Sequence, residues 1–310
     1  MQVNIQNWNA KESIMATLAY FDIFDLALNA EEIRRYVLGR MLSKDELKEN
    51  LAKLLVSKKI EEVEGFYCLA GRGEILELRQ IKHQIAEKFR HWSYQKQWLF
   101  GFVPFIKGVY LCNNLSYDGV TKNSDIDIFV VTQRGRIFLT RTILTVLAHL
   151  FGVRRHGNKI VKRFCLSLYV SEDALNMENL LISRGDIYMA YWMLGLEPLV
   201  GNVNMVIKEN SWLNRFFGQL NQRISGKNLS IRKNWLAKFS EFILARNFGD
   251  LLEIKLAKYF KKRYLINKAS LGEKASVIVS ERVLKYHNLD RRADFKKSWE
   301  ERLERLELLG

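Results

Sequence analysis

Three apolar segments of strand length, with one amphipathic helix between the second and the third, constrain this 310-residue chain more than any other feature. Lys107 to Asn113 and Asp125 to Thr132 read as strands on either side of a polar turn, Arg136 to Phe151 as an amphipathic helix, and Arg163 to Val170 as a further strand. Strands alternating with a helix imply an α/β core. The rest of the chain is not disordered: at 48% hydrophobic residues it can bury one large core or two to three modest ones.

Upstream, residues 11 to 71 read as helix, helix, helix, hairpin. The first helix carries Ile14, Leu18 and Phe21; the second starts at Asn29 with Glu32 at its third position, and the third starts at Ser43 with Glu46, both capping boxes. Leu47, Leu51, Leu54 and Leu55 give the third helix one buried face. Ile60 to Val63 and Phe66 to Leu69 flank Glu64-Gly65, a two-residue hairpin signal. The order resembles a winged helix-turn-helix. DNA binding through the third helix is disfavoured by its mixture of Lys44, Lys48 and Lys53 with Asp45, Glu46 and Glu49, and by Glu61, Glu62 and Glu64 in the wing.

From Gly73 to about Phe100 a charged helix with Ile75, Leu78, Ile81, Ile85 and Phe89 at helical spacing links this unit to the α/β core. After Asp173 the pattern turns helical, with a break around Gly195 to Asn202 and interruptions near Gly226 and Asn267. The expected class is therefore mixed α+β. Residues 1–72 form a winged-helix-like unit, 73–100 a linking helix, 101–205 the sheet domain and 206–310 a helical C-terminal region. That last region mixes aromatics with bases, among them Trp212, Phe216, Phe217, Arg223, Trp235 and Phe239, which at helical spacing read as core with a basic outer surface.

Cys68, Cys112 and Cys165 are far apart, with neither a CxxC pair nor a histidine at zinc spacing, so disulfides and structural zinc are not expected. No apolar stretch approaches the roughly 20 residues that span a bilayer. The polar start, with Gln2, Asn4, Gln6 and Asn7, lacks the pattern of a secretory signal, so a cytoplasmic location and no membrane partner are expected. The net charge of +15 favours polyanionic partners such as nucleic acid or a nucleoside triphosphate.

Chemistry concentrates in the second core strand. Residues two apart on a strand face the same side, so Asp125 and Asp127 present two carboxylates together while Ile126 and Ile128 turn toward the core. Two such groups can hold Mg²⁺, which keeps its remaining positions for water and substrate phosphates, the arrangement phosphoryl transfer uses.

The segment Ser124-Asp-Ile-Asp-Ile-Phe-Val130, with the strand and polar turn before it, resembles the DNA polymerase beta-like nucleotidyltransferase superfamily: a Gly-Ser pair ending one strand, about a dozen residues, then Asp-hydrophobic-Asp in the next. More specifically, Leu18 to Asp25, Ser124 to Arg141 and Lys285 to Arg292 resemble a group of bacterial proteins that join a winged-helix-like unit, this nucleotidyltransferase domain and a helical C-terminal part. The resemblance implies a Mg²⁺-dependent transfer of a nucleotidyl group from a nucleoside triphosphate, ATP first, to an acceptor such as RNA, a protein or a small molecule. Asp125 and Asp127 are then the catalytic and metal-holding residues, and Asn113, Asn114, Ser116, Ser124 and Arg136 the candidates around the nucleotide.

Two departures stand out. Asn113-Asn114 replace Gly-Ser, although asparagine donates to phosphate and tolerates left-handed backbone. In Phe164 to Val170 alternation puts Cys165, Ser167 and Tyr169 on one face, with Ser167 where the family's third carboxylate is expected; Asp173 or Asp186 would have to substitute from nearby. A nucleotide-binding protein without turnover is the alternative, and a winged-helix DNA-binding regulator a third. Arg136 and Arg141, on the helix that opens beside the acidic strand, are the basic residues best placed for phosphate; Arg154, Arg155 and Lys159 read as surface.

Overall fold

The computed structural model describes residues 5–218, 220, 228–230, 232–267, 272, 275–287 and 289–309; Arg223, Gly226 and Asn288 lie outside them. Helix α1 spans Ala10–Asp22, and Asn9 starts it: its side chain accepts from the Lys11 and Glu12 amides while Glu12 accepts from the Asn9 amide. Strand β1 (Leu28–Asn29), α2 (Ala30–Tyr36), α3 (Lys44–Val56), β2 (Ile60–Val63) and β3 (Phe66–Leu69) follow, with both expected capping boxes formed. Glu64 and Gly65 both adopt positive φ, at 53° and 81°, which lets β2 and β3 close through two residues. The three strands form an antiparallel sheet in the order β1-β3-β2.

Helix α4 (Ile75–Lys96) leads into β4 (Ile106–Leu111), β5 (Ile126–Thr132), α5 (Ile137–Leu150) and β6 (Phe164–Ser171). Then come α6 (Ile187–Leu194), β7 (Glu197–Asn202), the single turns α7 (Asn204–Ile207) and α8 (Asn214–Phe217), β8 (Asn228–Leu229), α9 (Trp235–Leu244), α10 (Asn247–Asn267), β9 (Ser276–Val279), β10 (Val283–His287) and α11 (Arg292–Arg305). Seven strands line up as β8-β7-β4-β5-β6-β10-β9. Among the described strands only β5 and β6 are parallel neighbours, as the α5 crossover between them requires; the other pairs are antiparallel.

The stretch read as helical from residue 206 onward thus contributes three strands. Ser276-Val-Ile-Val279 and Val283 to His287 are β-branched and aromatic runs joined by a tight turn; β10 pairs with β6 and β9 pairs with β10, and that pairing decides their conformation. The break expected at Gly195 to Asn202 is itself a strand, β7. Among the C-terminal aromatics, Trp212, Phe216 and Phe217 are core, as read. Trp235 and Phe239 are not: they are 69% and 57% exposed on the outer side of α9.

Each face of the large sheet carries its own core. On one, Ile126, Ile128 and Val130 pack with Phe138 and Leu144 of α5 and Ala257 of α10. On the other, Phe129, Val131 and Leu168 meet α6, α8 and α11, and the same cluster continues without a gap into α1, α2 and α3. Residues 5–72 and the sheet therefore share one core. No helix among the described residues is long and apolar enough to cross a membrane.

Candidate active site

The acidic end of β5 takes its geometry from the sheet. Asp127 lies on the same side of the strand as Phe129, facing α6, and Asp125 immediately precedes the strand. Beside them β6 runs parallel, with Cys165 in register with Asp127. A carboxylate oxygen of Asp125, one of Asp127 and the Cys165 Sγ all lie within 4.8 Å of one another.

Beyond that point the register slips. Asp127 pairs with Cys165 but Phe129 pairs with Leu168, so β6 carries one extra residue. The bulge breaks the alternation expected from sequence. Ser167 still lines the cleft over the acidic pair, whereas Tyr169 is buried in the opposite core. The position facing the carboxylates is held by Cys165, and Ser167 is the next residue along that wall.

Asn113 follows β4 with φ of 59°, in the left-handed region that asparagine tolerates. From there its Nδ2 donates to Asp127 Oδ2 at 2.8 Å, and its Oδ1 accepts from the Tyr188 hydroxyl at 3.2 Å. The two bonds fix the amide's orientation, since a carboxylate only accepts. Arg155 donates to Asp125 Oδ2 at 2.7 Å and reaches Cys165 Sγ at 3.6 Å. Arg155 was read as surface. It turns back onto the acidic pair because Arg154 beside it bridges to Phe164 at the start of β6.

Burial raises the Asp127 carboxyl to about 6; the Asp125 charge adds to this, and the Asn113 hydrogen bond opposes it. Burial, then the charges of Asp127 and Asp125, push the Cys165 thiol to about 12, so it stays protonated at neutral pH. Arg155 is held above its ordinary value: burial works against its charge, and Asp125, Cys165 and Asp127 together outweigh burial.

The cleft is a cavity of about 460 Å³ walled by Asn113, Asn114 and Asp127, by Cys165 and Ser167, by Tyr188 and Trp192 of α6, and by Arg291 and Phe295 at the start of α11. Tyr188 stacks on Phe295 with centroids 5.2 Å apart, and Arg291 lies over the same ring. Its size suits a nucleotide-sized ligand. The second carboxylate in the wall, Asp290, is committed to Arg292 and Lys285.

Several expected residues lie elsewhere. Arg136 follows the other end of β5, about 20 Å away at roughly 3.3 Å per residue. There its guanidinium is buried against the Leu244 and Ala245 carbonyls and Asp250, so it locks α9 and α10 to the sheet. Ser116 lines a separate cavity of about 630 Å³. Ser124 accepts from the Thr121 amide and shapes the turn before Asp125. Asp186 caps α6 and pairs with Arg292, and Asp173 faces Arg134 and Arg282, so neither supplies a third carboxylate.

Two carboxylates against one guanidinium leave the cluster short of positive charge. Asp125 and Asp127 are hard oxygen donors suited to Mg²⁺, and each keeps an oxygen outside its bond to Arg155 or Asn113. The protonated thiol beside them is a poor ligand for such an ion. No protein-family model matches the chain, and neither does any curated protein or any solved structure.

Proposed function

We propose that the cleft is a nucleotidyltransferase-type site, in which a nucleotidyl group moves from a nucleoside triphosphate, ATP first, to an acceptor. The observation that carries this reading is the convergence of the Asp125 and Asp127 carboxylates, with Asp127 in the wall of an open cavity. Asp125 and Asp127 would hold Mg²⁺, which when bound neutralises phosphate oxygens and aligns the leaving group. Asn113 orients Asp127 through its side-chain amide, and Asn114 stands in the same wall, where its amide can donate to phosphate. Arg291, on the facing wall, offers a second cation to a polyphosphate, and the Tyr188 and Trp192 rings offer a surface for a base.

A second reading, nucleotide binding without turnover, is favoured by one observation. The residue facing the pair is Cys165, and the described cleft residues include no uncommitted carboxylate to take the acceptor's proton. The winged-helix-like reading of residues 5–72 is supported by three capped helices and the order β1-β3-β2. Its DNA-binding corollary is not: Glu61, Glu62 and Glu64 cap or brace the local backbone and Gln80 from an exposed wing that phosphates would avoid.

Calorimetry with ATP and Mg²⁺ tests the site. Wild type should bind, and Asp125→Ala/Asp127→Ala should bind at least about a hundredfold more weakly; equal binding by both, or by neither, would sink the proposal. Pyrophosphate release in the presence of candidate acceptors then separates transfer from binding alone.

A further inference from the structure

On the sheet face opposite the acidic pair, α5, α10, β9 and β10 enclose a second cavity, of about 490 Å³. Three arginines line it: Arg141 and Arg154 around α5, and Arg263 on α10. Among the described residues no lining residue is acidic, and none of the three arginines has a carboxylate within 4 Å. Elsewhere this chain pairs its arginines densely, as at Arg72, Arg79, Arg90 and Arg292. Three guanidinium groups around one hollow, with no counter-charge among the described residues, repel one another, and an anion would relieve that repulsion.

The polar groups here are also unfinished. Arg141 lies 4.0 Å from the Tyr286 ring centroid and within 5.5 Å of the Tyr169 and Phe260 centroids, with one bond, from Nη1 to the Leu166 carbonyl. Its Nε and the hydroxyls of Tyr169 and Tyr286 are buried without a hydrogen-bond partner among the described residues. Burial keeps both phenols protonated at neutral pH. All three orphan groups can therefore donate, and leaving such donors unmatched is costly.

We propose that this cavity binds a phosphate-bearing small molecule, its anionic oxygens held by Arg141, Arg154 and Arg263. Arginine's planar fork matches phosphate geometry, and Tyr286 adds a donor at the cavity wall. Tyr259 and Tyr264 present rings around Arg263, suited to the unsaturated or apolar part of such a ligand. The cavity lies on the sheet face opposite the acidic cleft, shares with it only the Tyr286 residue of β10 among the described lining residues, and needs no metal.

The test is calorimetric titration of the full chain with inorganic pyrophosphate at low salt in the presence of EDTA, so that metal-dependent binding in the acidic cleft is silent. Wild type should bind, with affinity falling as salt rises. Arg154→Gln/Arg263→Gln, which changes two side chains outside the core, should bind roughly tenfold or more weakly, in line with the loss of charge-assisted contacts. Tyr286→Phe should weaken binding severalfold, and Asp125→Asn/Asp127→Asn should leave it within about twofold. Absence of binding by wild type, wild-type affinity in the double arginine variant, or loss of binding in the aspartate variant would each overturn the assignment.

Discussion

Two acidic places, about buried Asp118 and about half-buried Asp127, use the same residue type for opposite ends. Asp118 faces Arg79 and Arg90, each at 2.6 Å, with His83 at 2.8 Å, and the two arginines go on to Glu32 and Glu197. Burial alone would raise its carboxyl, but Arg90 and Arg79 outweigh burial and hold it below the ordinary value. Asp127 loses solvent and has the Asp125 charge beside it, which its neutral partners Asn113 and Cys165 do not offset, so its carboxyl goes up. Charge balance separates a joint from a site. The first network ties α4 to β7 and the residues after β4; the second leaves an unsatisfied demand for a cation.

The comparison breaks most visibly in stability. Replacing Asp118 with alanine takes the shared carboxylate from buried Arg79 and half-buried Arg90, leaves each with one of its glutamates, and should cost about 3 kcal/mol, read as a lower urea midpoint at unchanged m value. A loss below about 1 kcal/mol would show that the network is solvated. Asp127→Asn should do the reverse, raising stability at pH 7 by about 1–2 kcal/mol because it removes a carboxylate held against its own charge. The same variant should lose Mg²⁺-dependent ATP binding.

The pH dependence sharpens this contrast, and the signs differ. Asp118 is depressed when folded, so its contribution is present above the ordinary carboxylate value and is lost as pH falls through its lower folded value. Asp127 is raised from 3.8 to about 6, so between those values the folded state binds the extra proton and stability declines as pH rises. Wild type minus Asp127→Asn should show that decline between about pH 4 and 6, and a flat difference would contradict the raised carboxyl. Affinity for Mg²⁺ should climb through the same window. The smallest effect is expected for Arg155→Gln, which removes the guanidinium competing with a cation at Asp125 and should tighten Mg²⁺ binding by about threefold to tenfold. Weaker binding would make Arg155 part of the ligand site instead.

How much of this was legible depended on how local the deciding interaction is. Asn29 with Glu32, Ser43 with Glu46, and Glu64-Gly65 act within three residues, and the helices and hairpin they delimit match the sequence reading closely. The three core strands and α5 follow from apolar runs whose burial does not depend on register. The pairing of Asp125 with Asp127 needed only strand alternation. What could not be read was set by register and long-range closure. One extra residue in β6 sends Tyr169 to the far core, and a return of the chain before β6 delivers Arg155 to Asp125. Arg136 was placed beside the acidic pair by nearness in sequence, although a seven-residue strand separates them. β9 and β10 are short enough that only the pairing of β10 with β6, and of β9 with β10, distinguishes them from helical surroundings.

Helix α1 and helix α11 are each other's cover. Trp299 donates to the Ala16 carbonyl, and Arg302 shares Asp22 with Arg72, across 283 and 280 positions of sequence for the two bonds to α1. During synthesis at roughly 5–20 residues per second, α1 therefore waits about 15–60 s for its lid. Through that interval Ala16, Ala19 and Tyr20, all buried in the finished molecule, have no permanent neighbour from α11. A ribosome-bound intermediate truncated before residue 292 should accordingly be the species most prone to clump, and the one a chaperone meets first.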